Sequence, residues 1–277
     1  MQVESCAAYG NINYSGLFCN GIYISAQGGI GMDSLKTAAE IIKESSNIVA
    51  FTGAGVSTES NIPDFRSSGG LYQSLKEKYG YSPEYMLSHT FFVEHPEQFF
   101  DYYRNHMVYR EAKPNNCHKA LAKLEQMGKL KAVVTQNIDG LQQAAGSKNV
   151  MELHGTIHRN HCVKCRKSFD LDYIMDMTKP IPRCDECGGI VKPDVVLYEE
   201  QLDEDVLSSA VSSVMSAEVL LVIGTSLVVY PAAGLINYYR GDKLILINKG
   251  STPYDYRAKI VIHDLAGKVM QSILESF

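Results

Sequence analysis

Ile48-Val49-Ala50-Phe51-Thr52-Gly53-Ala54-Gly55-Val56-Ser57 is the stretch from which the fold can be read. Its first five residues carry no charge, and four of them are β-branched or aromatic. A short run of that kind, closed by glycines, reads as a buried strand. Gly53 and Gly55 then allow a tight turn and close approach of backbone to a pyrophosphate. The third glycine of the usual dinucleotide fingerprint is absent, since Thr58 stands in its place. Taken alone, the turn is a weak sign of a nucleotide site.

Outward from this turn, strands and helices alternate. Asp33-Ser34 offers an N-cap to a helix over Leu35–Lys43. Helices are expected over Pro96–Val108, with aromatic residues on one face, and over Asn116–Met127; strands are expected over Leu130–Thr135 and Val150–Leu153. Past a polar stretch with cysteines come helix 203–215, strand 218–223, helix 231–239, strands 243–247 and 259–262, and helix 264–275. This rhythm predicts an α/β fold, a Rossmann-like doubly wound parallel sheet. The cysteine stretch breaks the rhythm and reads as a smaller inserted zinc-binding module. The expected division is a nucleotide-binding catalytic domain over 32–156 and 193–277, with the module over 157–192. Residues 1–31, rich in Gly, Asn, Ser and Tyr, form an N-terminal extension expected to be disordered, with the folded domain starting at Met32.

Composition narrows the function classes. The chain has 277 residues, 45% of them hydrophobic, and a formal net charge of −5. A nucleic-acid binder would need a basic face, so none is expected as partner. No apolar run approaches the roughly 18–20 residues that span a bilayer. No Lys or Arg precedes Lys36, and a secretory h-region is missing, so a cytoplasmic location is expected. Four of the seven cysteines form two Cys-x-x-Cys pairs, which in a reducing compartment reads as metal.

Those pairs are Cys162/Cys165 and Cys184/Cys187, separated by eighteen residues. Each pair lets two thiolates converge from one turn, and two turns close a tetrahedron around zinc. Four protein ligands leave no open position, so the metal should be structural. Cys6, Cys19 and Cys117 read as bystanders.

Two more strand ends carry polar residues. Val219–Ile223 runs into Gly224-Thr225-Ser226, and Lys243–Ile247 ends at Asn248, suited to a ribose hydroxyl. With Gly53–Gly55 they outline one crevice at the C-terminal edge of a parallel sheet. Ile62-Pro63-Asp64-Phe65-Arg66, Thr135-Gln136-Asn137-Ile138-Asp139 and Glu152-Leu153-His154-Gly155 lie in loops at that edge. An imidazole at His154 can take a hydroxyl proton near neutral pH. Asp139 could hold an amide, and Arg66 is either a salt-bridged surface residue or an anion contact.

Taken in order, these motifs resemble the sirtuin family, together with Gly224–Ala233 and Asn248. The resemblance covers about residues 33–275 and rests on no single motif. It implies an NAD-dependent protein deacetylase carrying one structural zinc. Sirtuins cut the nicotinamide–ribose bond of NAD and pass the lysine acyl group to ADP-ribose, releasing nicotinamide and O-acyl-ADP-ribose. By that likeness Ile138 and Asp139 would bind the nicotinamide carboxamide. Ala54, Thr58, Phe65, Arg66 and Gln136 would line the cofactor pocket. Thr225, Ser226, Asn248 and the stretch around Asp264 would contact ADP-ribose. His154 would be the base on a ribose hydroxyl, and an acetyl-lysine peptide would lie extended between Val195–Glu199 and Val228–Pro231.

This chain departs from the family at Asn61, where Gly is frequent, and at Tyr198-Glu199-Glu200, where a Phe-Gly-Glu-like stretch is usual. Sirtuins that remove succinyl groups share a Tyr-x-x-Arg pair. Here Asp101 stands three residues before Arg104, so acetyl or longer neutral acyl groups are expected. The alternatives are a mono-ADP-ribosyltransferase, an NAD-sensing zinc scaffold and an NAD-consuming hydrolase.

Overall fold

The computed structural model describes residues 32–64 and 80–277. The extension 1–31 and the pocket candidates Phe65 and Arg66 lie outside the described residues. Along the chain the strands are β1 (Ile48–Thr52), β2 (Leu130–Thr135), β3 (Val150–Glu152), β4 (Gly155–Cys162), β5 (Ser168–Phe169), β6 (Val191–Val195), β7 (Val219–Ile223), β8 (Lys243–Ile247) and β9 (Ile260–Ile262). The α-helices are α1 (Met32–Glu44), α2 (Pro83–Met86), α3 (His89–Glu94), α4 (Pro96–His106), α5 (Asn116–Gln126), α6 (Leu141–Ala144), α7 (Leu171–Met175), α8 (Glu204–Ser216) and α9 (Ala266–Glu275).

Six strands form one sheet in the order β3-β2-β1-β7-β8-β9. Every pairing in it is parallel. The order builds outward in both directions from β1 and β7, which sit side by side. That is the doubly wound Rossmann arrangement, with its switch point at the β1/β7 crevice.

The apolar run at β1 exists because both faces of the sheet are covered. Ile48 and Ala50 pack with Ala38 and Ile42 of α1, Leu121 of α5 and Val269 and Ile273 of α9. Val49 and Phe51 face the other side, with Ala210 and Val214 of α8 and Leu235 and Ile236. The segment expected as an α-helix over 231–239 is a 3₁₀ helix, Ala232–Tyr238. Gly234 and two neighbouring tyrosines give it weak α propensity. Burial of Ala232, Ala233, Leu235 and Ile236 holds it in place.

A second sheet, order β5-β4-β6, is antiparallel. Its Ile157, Val191 and Val195 share a core with Phe91, Phe92, Phe99 and Phe100 from α3 and α4. α2 and α3 were not foreseen from sequence; Ser82 and Ser88 cap them by accepting from the Tyr85 and Phe91 N–H groups. Among the described residues no helix is long and apolar enough to cross a membrane.

Candidate active site and zinc centre

The crevice predicted at the sheet edge is built by close packing of two strand exits. Gly55 N–H donates to the Gly224 carbonyl at 2.8 Å, and Gly53 N–H to that of Ile223 at 3.1 Å. A Cβ on Gly53 would stand 2.7 Å from Thr225 Cβ, and one on Gly55 2.8 Å from Gly224 Cα. These glycines therefore let the β1 and β7 exits touch each other. After β1 the chain makes two 3₁₀ turns, Ala54–Val56 and Thr58–Ser60, in place of the long helix of the usual fingerprint. Thr58 closes the first turn by donating to the Gly55 carbonyl.

Three predicted residues form one hydrogen-bonded chain across the edge. His154 Nδ1 lies 2.9 Å from the Gln136 carbonyl, and Gln136 Nε2 lies 3.1 Å from Thr225 Oγ1. A carbonyl only accepts, so Nδ1 carries the proton and Nε2 keeps its lone pair. Burial pushes the His154 pKa below its ordinary value, against the raising effect of the bond to Gln136. Its neighbour is geometrically forced to be glycine: Gly155 has φ +72, and a Cβ there would stand 1.9 Å from the Asp194 carbonyl oxygen. That contact brings β6 against the His154 turn, where Val196 N–H donates to the His154 carbonyl.

Asp139 is held from two sides. Ser57 Oγ donates to one carboxylate oxygen at 2.6 Å, and the Leu141 N–H to the other at 2.9 Å. Asn137 ties the same group to the β1 exit by donating to Ser57 Oγ and to the Gly53 carbonyl. A cleft of about 450 Å³ opens against this turn, walled in part by Asp139, Gly140 and Ile157. His118, which feels the Asp139 charge, is fully buried. Its Nδ1 accepts from the Asn115 N–H, which leaves the proton on Nε2, a buried atom with no partner among the described residues. Desolvation pushes the His118 pKa down to about 4, against the nearby Asp139 charge.

Toward β8 and β9 the predicted residues are more open. Ser226 is exposed and Thr225 buried. Asn248 donates to the Gly250 carbonyl, which leaves its side-chain oxygen available. Asp264 is engaged by Lys268 Nζ at 2.8 Å and by the Leu265 N–H at 2.7 Å; Lys268 holds its carboxyl below the usual range.

The four cysteines converge on one point. Their sulfurs all lie within 4.8 Å of one another. Cys162 and Cys187 Sγ are 3.4 Å apart, and Cys165 and Cys184 Sγ 3.6 Å. A tetrahedron with Zn–S bonds of about 2.3 Å has edges of about 3.8 Å, so the set fits zinc. The Cys165 N–H, followed by the Lys164 N–H, points at the Cys162 sulfur and holds its thiol down at about 6. Gly189 lets the two turns approach: a Cβ there would stand 2.8 Å from Cys162 Sγ.

The Sir2 family pattern matches residues 53–231. An NAD-dependent protein deacetylase of Clostridium tetani is 63% identical over 244 residues, covering 88% of this chain and 98% of the relative. This chain belongs to the Sir2 family. A second such deacetylase, from Clostridium acetobutylicum, is 60% identical over 88% of this Sir2 chain and 99% of its own. Among solved structures, a Sir2 enzyme aligns with TM-score 0.80 at 40% identity, covering 88% of this chain and 97% of its own. A Sir2 solved with a p53 peptide and NAD⁺ aligns with TM-score 0.78 at 37% identity, covering 87% and 98%.

The two departures of this Sir2 chain now have a local explanation. Asn61 and Glu199 both adopt left-handed backbone, φ 62 and φ 75, where glycine is otherwise favoured. Asn tolerates that region better than most side chains. Glu199 instead gains a bond: its carboxylate accepts from the Thr90 N–H and Oγ1, capping α3. Glu200 accepts from Lys192 Nζ and the Leu197 N–H and contacts His89. Sequence reasoning assigned no role to His118, Asn137 or Ser57. The one signal for His118 was its place three residues after the Asn115 cap.

Proposed function

We propose that this Sir2 chain is an NAD-dependent protein lysine deacetylase, an acyl transferase that moves acetyl from lysine to ADP-ribose. The observation that carries the reading is the His154–Gln136–Thr225 chain at the β1/β7 edge, which leaves one neutral imidazole nitrogen basic. NAD supplies a ribose whose anomeric carbon takes the acetyl oxygen as nicotinamide departs; one water is then consumed to release the amine, so the products are nicotinamide, lysine and O-acetyl-ADP-ribose.

The residues present fit that co-substrate. Asp139 has used one acceptor site on each oxygen, and a carboxylate offers about four. It can therefore accept a carboxamide N–H, beside Ile138. Ala54, Thr58 and Gln136 line the pocket in this reading; Phe65 and Arg66 keep that role only by family likeness, outside the described residues. Thr225, Ser226, Asn248 and the stretch at Asp264 take the ADP-ribose moiety. His154 Nε2 takes the proton of a ribose hydroxyl, help worth about 10²–10⁴-fold. The four thiolates would hold a structural zinc between the end of β4 and the turn that precedes β6. The zinc module expected over 157–192 is drawn too tightly: β4 and β6 extend it to 155–195, and α3 and α4 share its core, while the six-stranded sheet and the helices on its two faces form the Rossmann-like part.

An acetylated peptide pairs as an extra strand between Val195–Glu199 and Val228–Pro231. Tyr198 and Val228 are exposed there. Sir2 neighbours solved with acetylated and with propionylated peptides support this substrate class. Arg104 cannot serve an acidic acyl chain: it is buried and donates to the carbonyls of Ile174, Lys179 and Pro180. Succinyl-lysine peptides should therefore turn over more slowly than acetyl-lysine ones. Four unoxidised cysteines paired for metal suit a reducing, cytoplasmic location.

Incubation with NAD and acetyl-lysine peptides, followed by nicotinamide release and peptide mass together, tests the reading. Equal release of nicotinamide and deacetylated peptide is expected. Label from NAD retained on protein would instead indicate an ADP-ribosyltransferase, and no release at all an NAD-sensing scaffold.

A further inference from the structure

We propose that Tyr254 and Arg257, tied to Tyr230 and Asn237, form a subsite for an acidic side chain of the substrate. The proposal rests on the deacetylase reading and deepens it by naming a substrate feature. Tyr230 belongs to the Val228–Pro231 segment, and the residue is 66% exposed. Its hydroxyl lies 3.1 Å from the Tyr254 hydroxyl. Asn237 Nδ2 donates to that same Tyr254 oxygen at 3.4 Å, and Arg257 donates to Asn237 Oδ1 at 2.7 Å. The Arg257 guanidinium also stands 6.0 Å from the centre of the Tyr254 ring.

This cluster has more donors than acceptors. The two phenols share one hydrogen bond, which uses one of their two protons and leaves the other over. Arg257 spends one N–H on Asn237 and has four more. Among the described residues it has no carboxylate partner. The acid nearest in sequence, Asp255, is occupied by the Thr252 N–H and hydroxyl. A carboxylate is the group that such a set lacks, since it accepts from a guanidinium fork and a phenol together. The exposed Tyr230 ring would cover the stem of an Asp or Glu side chain. A peptide strand paired along 228–231 runs past Tyr230, and its side chains alternate between faces. One position flanking the acetyl-lysine therefore meets the cluster.

The test is an acetyl-lysine peptide series in which each flanking position in turn carries Glu or its neutral isostere Gln. Dissociation constants are measured by fluorescence anisotropy, and turnover by nicotinamide release. At one flanking position Glu should bind about two- to five-fold more tightly than Gln, the range of exposed ion pairs. The difference should vanish in Arg257→Gln, shrink in Tyr254→Phe and weaken with salt. If Glu and Gln are equivalent at every position, or the preference survives Arg257→Gln, the subsite is wrong while the deacetylase reading stands. If the Glu preference appears in binding but no peptide is deacetylated, the deacetylase reading falls and the subsite stands.

Discussion

The Gln136 carbonyl accepts the Nδ1 proton of His154, and burial holds the ring below its ordinary pKa. A depressed histidine stays neutral at and above pH 6.5 and protonates only as pH falls further. The rate kcat/KM should therefore be flat through neutrality and drop on the acid side of 6.5, a profile read with acetyl-lysine peptide. His154→Ala should lose about 10²–10⁴-fold in turnover with fold and zinc content unchanged. Full activity in that variant would remove His154 as base. His118 follows the same sign for stability. Its folded pKa is pushed down to about 4, so below 6.5 the unfolded chain takes up a proton that the fold refuses. Stability should fall between pH 6.5 and 4, by up to about 3 kcal/mol from this group. Urea unfolding at both pH values should show the loss reduced in His118→Gln. His154 was legible because it sits in a recognisable motif at a strand end. His118 was not, because a buried histidine on a helix looks in sequence like any core position.

Glu59 shows how one element can hold another. Its carboxylate accepts from the Gly267 N–H in the first turn of α9, and a Cβ on Gly267 would stand 2.8 Å from the Glu59 oxygen. An acid at a helix N-terminus is favoured by the unpaired N–H groups and the dipole. Here it ties the turn after β1 to the last helix of the chain. Glu59→Ala should cost about 1–3 kcal/mol, seen as a Tm lower by several degrees. An unchanged Tm would show the cap to be inert. Strands β1 and β7 were legible because both faces of each are buried, which produces uninterrupted apolar runs, and β2 and β8 because their apolar runs are broken only by Lys131 and by the opening Lys243. Helices α2 and α3 were not, since four and six residues show no helical period. The strain at Glu199 was equally hidden, because its compensation is a bond to Thr90, far away in sequence.

At the scale of the molecule, the zinc centre and the proposed peptide groove share a sheet. β4 ends at Cys162, and β6 pairs with it and leads into Val195–Glu199. Loss of metal should therefore disorder the substrate edge even though no ligand touches the reaction. A chelator that strips zinc should release one metal per chain and abolish deacetylation, with Cys187→Ser behaving alike; full activity without zinc would contradict this coupling. The Cys-x-x-Cys spacing made the centre legible, because four thiolates at that interval leave little else to do. The β5-β4-β6 sheet around it was not, since β5 has two residues and β6 contains Pro193. The central claim is a cleft in which the His154 imidazole meets a ribose while an acetyl-lysine enters from the other side. A crystal structure with a non-hydrolysable NAD analogue and an acetyl-lysine peptide measures it directly. The account requires His154 Nε2 within hydrogen-bond distance of a ribose hydroxyl and the peptide paired along 228–231. An imidazole remote from the ribose, or a blocked lysine tunnel, would contradict it.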